Sequence, residues 1–261
     1  MCAFLGRAAE TKRRRGGAVD DVAAWFLWLY KTTGIKLTIF YDPYDRNRFV
    51  VGFFTTLKLS AYCLVLSVVL GAFAAWLAGS RVAAVRRVVD GFVQLFRNTP
   101  PLVQLYFFYF AVGPVLPKVD GAPILGSFGW AVVSLTLLET AFAAEIFRAG
   151  IEAVPRATVE AAQALGYSRA QIYRKVVLPL AIRVTMPAMN NNLVNLVKTT
   201  TLAYAIAVPE LVYMSAQVWS EQVNVPEMMV VLLICYVAIV GIINQLMQWL
   251  EARLRVPGFG Q

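Results

Sequence analysis

The sequence predicts an all-α integral membrane protein with about five transmembrane helices. Three observations carry that expectation. Of the 261 residues, 59% are hydrophobic and 15% charged, whereas a soluble domain has about 45–50% apolar and about 25% charged residues. The apolar residues gather in long blocks, as lipid requires and an aqueous core does not. Lys and Arg are segregated into alternate connections between the blocks, as in membrane proteins whose basic loops stay cytoplasmic.

The blocks follow in order. Residues 49–78 are apolar except for Lys58, and at about 1.5 Å per residue they exceed the roughly 30 Å hydrocarbon layer. Residues 91–112 form the second block, interrupted by Pro100 and Pro101. Proline lacks the amide hydrogen that a helix needs, so the segment is either kinked there or starts there with support from protein neighbours. Residues 113–126 hold three prolines and three glycines and predict a loop. A third span covers 128–150. Residues 155–175 are too polar and basic for lipid, 178–208 form a fourth block with a polar centre, and 228–250 form a fifth.

Twelve Lys and Arg fall in 81–97, in 148–183 and after the fifth span, against Lys118 alone in 113–126 and 211–227. This asymmetry puts the first set and the C-terminus in the cytoplasm and the N-terminus outside. Residues 1–48 then form an N-terminal extension, 49–252 the transmembrane domain with a cytoplasmic loop at 152–177, and 253–261 a short cytoplasmic tail. The extension is basic, including Arg13–Arg15. Lys31 and Lys36 interrupt its apolar stretch at 22–40, which fits a helix lying along the membrane surface; a further span is the alternative. Trp25, Trp28, Trp219 and Lys58 fit interfacial anchors. No cleavable signal peptide is expected, because the first apolar run is short and no small-residue cleavage site follows it.

Composition also narrows the chemistry. The net charge is +9, but no nucleic-acid motif accompanies it, so the expected surface partner is lipid. The chain has no histidine, and Cys2, Cys63 and Cys235 lie far apart. No metal site, disulfide framework or catalytic group is expected.

The segment with most information is the basic loop. Glu160–Leu165 is a short helix former that Gly166 stops. Its paired alanines, Ala161 and Ala162, present a small surface that another protein's groove could accept, although an ordinary connector would look the same. Arg169, Arg174 and Lys175 return the chain to the membrane, where Leu178 and Pro179 open the next span.

The spacing of Glu160, Ala161, Ala162, Gly166, Val176, Leu178 and Pro179 resembles the EAA loop of ABC importer permeases. Three further segments are similar to the polar amino-acid (histidine/glutamine-type) permeases: Phe96 to Gln104 with Arg97, Thr99, Pro100 and Gln104; Ala144 to Ile151 with Glu145 and Arg148; and Leu196 to Leu202. The likeness runs from Gly52 to Leu250. Asn98, Phe142 and Thr199 depart from it where glycine, tyrosine and aspartate are usual, and Thr199 removes a charge beside Lys198.

The resemblance implies the ABC type I importer permease fold in a bacterial inner membrane, moving polar amino acids into the cytoplasm. It implies that the EAA loop docks on separate ATP-binding cassette subunits, which hold ATP and Mg. It also implies a second permease subunit, identical or sister, and an extracytoplasmic solute-binding protein. The chain has no G-x-x-x-x-G-K-[ST] phosphate loop, so it is not expected to hydrolyse ATP or to hold a cofactor itself.

The polar residues at membrane depth are the candidates for a substrate path. Asn191, Asn195 and Lys198 share a helix face, with Thr200 just beyond. They fit either hydrogen bonding between helices of a dimer or a polar stripe along the path. Glu139, alone in the third span, should face the path or a partner, because a carboxylate in lipid is costly. Glu145 and Arg148 are three apart and can pair on one face. A permease for another small solute, such as an opine or osmolyte, is the first alternative. An ion-coupled secondary transporter is a weaker one, since no internal repeat is visible.

Overall fold

A computed structural model of the chain describes residues 21–119 and 121–254. The Lys12–Arg15 cluster, Cys2 and most of the C-terminal tail lie outside the described residues. The described chain is helical apart from short connections and a small hairpin. Helix α1 covers residues 21–33 and α2 covers Thr38–Tyr41. Helix α3 is Pro43–Ala78, α4 Ala83–Asn98 and α5 Pro101–Tyr106. A π turn (Phe107–Val112) and a 3-10 turn (Gly113–Val115) follow, then strands β1 (Lys118–Val119) and β2 (Ala122–Pro123). Helix α6 is Ser127–Glu152, α7 Arg156–Ala164, α8 Arg169–Ile172 and α9 Leu178–Thr199. Helices α10 (Leu211–Gln222) and α11 (Val225–Leu254) complete the chain.

Among the described residues three helices are long and apolar enough to cross a membrane: α3, α6 and α11. Thr55, Ser60 and Ser67 on α3 each donate to a carbonyl of the preceding turn, which satisfies their hydroxyls inside an apolar helix. Helix α9, with 22 residues, is long enough, but its asparagines, Arg183 and Lys198 make it too polar for lipid on every side.

The block expected at 91–112 is two pieces. Thr99 has an extended backbone (ψ 135°) between Asn98 and Pro100, as steric conflict with a following proline demands. Helix α5 restarts with Pro101 in its first turn, where a missing amide costs nothing. Three more boundaries differ from the sequence reading. The first long helix begins at Pro43 rather than at 49. The fourth block tightens after Thr199 into a 3-10 turn, Thr200–Ile206. The connection at 211–227 holds α10, whose start is marked by Glu210: its carboxylate accepts from the Val212 and Tyr213 amides at 2.9 and 2.8 Å, an acidic N-cap.

Two compact units are present. One comprises the described residues up to 55 together with 209–235. Its small core joins Ile39, Val218 and Met228. Phe26 of α1 stacks on Phe40 with ring centroids 4.1 Å apart. The amide of Lys36 donates to Glu227 and its ammonium to the Gln222 carbonyl, while Asn224 donates to the Lys36 carbonyl. Arg48 lies 2.7 Å from Glu221, and this hydrogen bond holds the Glu221 carboxyl below its usual range. Trp25 and Trp28 are exposed.

The other unit, 56–208 with the described residues from 236, holds the larger core around Leu59, Leu105, Trp130, Leu135 and Leu196. Small residues let its helices approach closely. A methyl group added at Gly71 would run into Ala143, and one at Gly150 into Thr185.

Candidate functional site

The loop between α6 and α9 is a folded element. Val154, Ala162, Ile172, Val177 and Ala181 are buried together as its own small core. Pro155 precedes α7, and Gly166 ends it with φ +80°. The Gly166 amide donates to the Gln163 carbonyl and the Tyr167 amide to that of Ala162, a Schellman closure that needs a left-handed residue. Helix α8 opens with a reciprocal cap: Ser168 accepts from the Gln171 amide, and the Gln171 side chain accepts from the Ser168 amide. A π turn, Tyr173–Val177, feeds α9 with Pro179 in its first turn.

This core sorts the sequence-predicted loop residues. Ala162 faces inward, Pro179 is half-buried, and Glu160, Ala161, Gly166 and Leu178 are exposed. Sequence reading missed Leu165 and Tyr167. Leu165 is 77% exposed and Tyr167 41%, beside the Gly166 turn. The signal was present in the sequence, since a leucine between a helix end and a glycine in a basic loop has no lipid to bury it.

A second cluster lies at the same end of α6. Glu145 Oε2 is 3.3 Å from Arg97 and 2.9 Å from Arg148, and Arg148 reaches Glu152 at 3.3 Å. Arg97 also lies over the Phe142 ring, 5.6 Å from its centroid. The expected Glu145–Arg148 pair is therefore one edge of a network that ties α4 to α6. Gln104 serves the break before it. Its amide donates to the Phe96 and Thr99 carbonyls at 2.7 and 2.9 Å, and the Thr99 hydroxyl donates to Leu95. Pro100 has no amide hydrogen for the Phe96 carbonyl and the extended Thr99 turns its own carbonyl out of the helical ladder, so a side chain serves both. Thus Arg97, Thr99, Pro100 and Gln104 make a stapled helix break, with Gln104 buried at its centre.

The polar residues of α9 divide by face. Asn191, Asn195 and Lys198 are exposed on one side. Asn190 is buried and donates to Asn244 of α11 at 2.8 Å. Asn192 reaches the Glu139 carboxyl of α6. Glu139 is buried inside this single chain. Thr200 is also buried, its hydroxyl donating to the Val197 carbonyl. Sequence reading placed Asn191, Asn195 and Lys198 on one helix face, with Thr200 just beyond; Thr200 turns inward from that face.

Residues 67–256 match the family of binding-protein-dependent transport system inner membrane components. The chain belongs to that family. It is a membrane component of a transport system rather than its catalytic subunit. It is 30% identical over 200 residues to the probable amino-acid ABC transporter permease protein PatM of Vibrio harveyi, covering 77% of this chain and 88% of that one. It is 36% identical over 167 residues to the histidine/lysine/arginine/ornithine transport system permease protein HisM of Escherichia coli, covering 60% of this chain and 70% of the relative. Among solved structures, an amino acid ABC transporter crystallised with histidines superposes with a TM-score of 0.74 at 26% identity, over 87% of this chain and 98% of that chain. The all-α permease fold expected from the sequence is the fold of this family member.

Proposed function

We propose that the chain is the membrane-spanning subunit of an ATP-driven importer of polar amino acids. The observation that carries this reading is the loop at 153–177: it packs through its apolar residues on the ends of α6 and α9 and presents Glu160, Ala161 and Leu165 on its exposed side. The exposed Tyr167 beside Leu165 offers the aromatic anchor that a partner's pocket takes up. The partners are ATP-binding cassette subunits, which hold ATP and Mg, and a solute-binding protein on the far side. The Arg97–Glu145–Arg148–Glu152 network links the base of the loop to the helix break at Thr99, a route by which a push on the loop would bias two arrangements of the helices.

Asn191, Asn195 and Lys198 line the substrate path, and an ammonium at Lys198 suits a substrate carboxylate. The relatives' substrates, amino acids by their names, favour that class. Pairwise cysteine crosslinking tests the docking. Leu165→Cys in the assembled transporter should crosslink to the nucleotide-binding subunit and change yield with nucleotide. Absence of any such crosslink, with transport intact, overturns the reading.

A further inference from the structure

Two adjoining cavities open on one side of the larger unit. The first, about 430 Å³, is lined chiefly by aliphatic side chains and by Met186, Met189 and Met247. The second, about 460 Å³, carries Arg148 and Glu152 beside Trp76 and Ser80. Ala75, Ile151 and Tyr173 belong to both, so an apolar chamber continues into a charged mouth. We propose that this paired cavity binds one phospholipid of the cytoplasmic leaflet, with an acyl chain in the methionine chamber and a zwitterionic headgroup at the mouth.

Four observations point to that occupant. The chamber follows α9 from Leu178 to Leu193, fifteen positions or about 22 Å along a helix axis. That is longer than half of the roughly 30 Å hydrocarbon layer, so one acyl chain with its glycerol end fits along it. Methionines adapt their shape to a mobile apolar chain. The chamber also lies on the side of α9 turned away from the exposed polar stripe. Met189 and Asn191 are two positions apart and so point in nearly opposite directions, which sets the chamber against the face holding Asn191, Asn195 and Lys198.

Finally, the mouth holds one charge of each sign, and both side chains are open to solvent, Arg148 at 47% and Glu152 at 65%. A phosphate would meet the guanidinium and the Tyr173 hydroxyl, and an ammonium the carboxylate. An ethanolamine headgroup carries both, whereas a glycerol headgroup brings no cation to Glu152, which would have to share its partner Arg148 with the phosphate.

Native mass spectrometry of the purified full-length chain, exchanged against vesicles of equal phosphatidylethanolamine and phosphatidylglycerol, tests the proposal. One retained phospholipid per chain is expected, enriched in ethanolamine. Ala72→Trp and Ile182→Trp fill the chamber from exposed positions. Each should lower retention by about tenfold or more, the equivalent of about 1.4 kcal/mol, with the yield of folded protein unchanged. Glu152→Gln should abolish the ethanolamine preference while keeping one lipid. Equal retention in the parent and both tryptophan variants overturns the site, as does crosslinking of Ile182→Cys to another protein chain in place of lipid. A headgroup preference that Glu152→Gln leaves untouched overturns the assignment of the mouth.

Discussion

Gly166 and Gln104 are single residues whose type is dictated by backbone geometry. At φ +80° a side chain on residue 166 meets its own carbonyl, at about 1–2 kcal/mol for an L-residue. Gly166→Val should therefore loosen the Schellman closure, whose other member is the Ala162 carbonyl. ATPase stimulation by substrate should fall several-fold while membrane insertion stays normal, as read by transport and by immunoblot of membranes. Gln104→Ala would strip the Phe96 and Thr99 carbonyls of their donor. A buried unpaired acceptor costs about 1–3 kcal/mol, so thermal unfolding in detergent should move down by several degrees. Gln104→Glu should do no better, because a carboxylate has no amide hydrogen to give. Sequence likeness marked Gln104. Its reason appears only with the break at Thr99–Pro100, because the carbonyls it caps belong to the preceding helix.

At the level of elements, α6 and α9 pack through small residues. Gly150 has no room for a methyl group beside Thr185 and the Ala181 carbonyl. Gly150→Ala should cost about 1–3 kcal/mol by overpacking, and Thr185→Ser, which deletes the methyl in the way, should recover part of it. Thermal melts of the two single variants and the double variant give the coupling directly. Helix α9 itself shows what periodicity reveals. The spacing of Asn191, Asn195 and Lys198 gave their common face correctly. It gave no way to know that Asn190 pairs with Asn244, or that Glu139 turns inward to Asn192, because both partners come from other helices. The helix at Leu211–Gln222 was missed for a related reason. Its twelve residues are too few to span a membrane, so the sequence marks it only as a connection, and the acidic cap at Glu210 is legible only once the helix start is known.

For the whole molecule, an exposed polar stripe on a helix within a membrane needs water or another protein beside it. On the proposed function, a second copy or a sister subunit across α9 would supply both, with the path between them. Asn195→Cys should therefore crosslink across subunits in membranes, and substrate should slow the reaction. A crosslink-free Asn195→Cys beside a reactive control at Leu165→Cys would contradict that arrangement.

By itself the sequence determined that this is a helical membrane protein, that it belongs to a transport-permease family, and which of its connections is basic. Those properties are written in composition and local spacing, and both survive without a fold. Only the tertiary structure decided which polar residues are spent on holding the chain together and which remain to face a partner. Arg97 finds Glu145, Asn190 finds Asn244, and Lys198 stays exposed. Such pairings depend on how helices far apart in sequence turn toward one another, and a one-dimensional periodicity carries no information on that rotation.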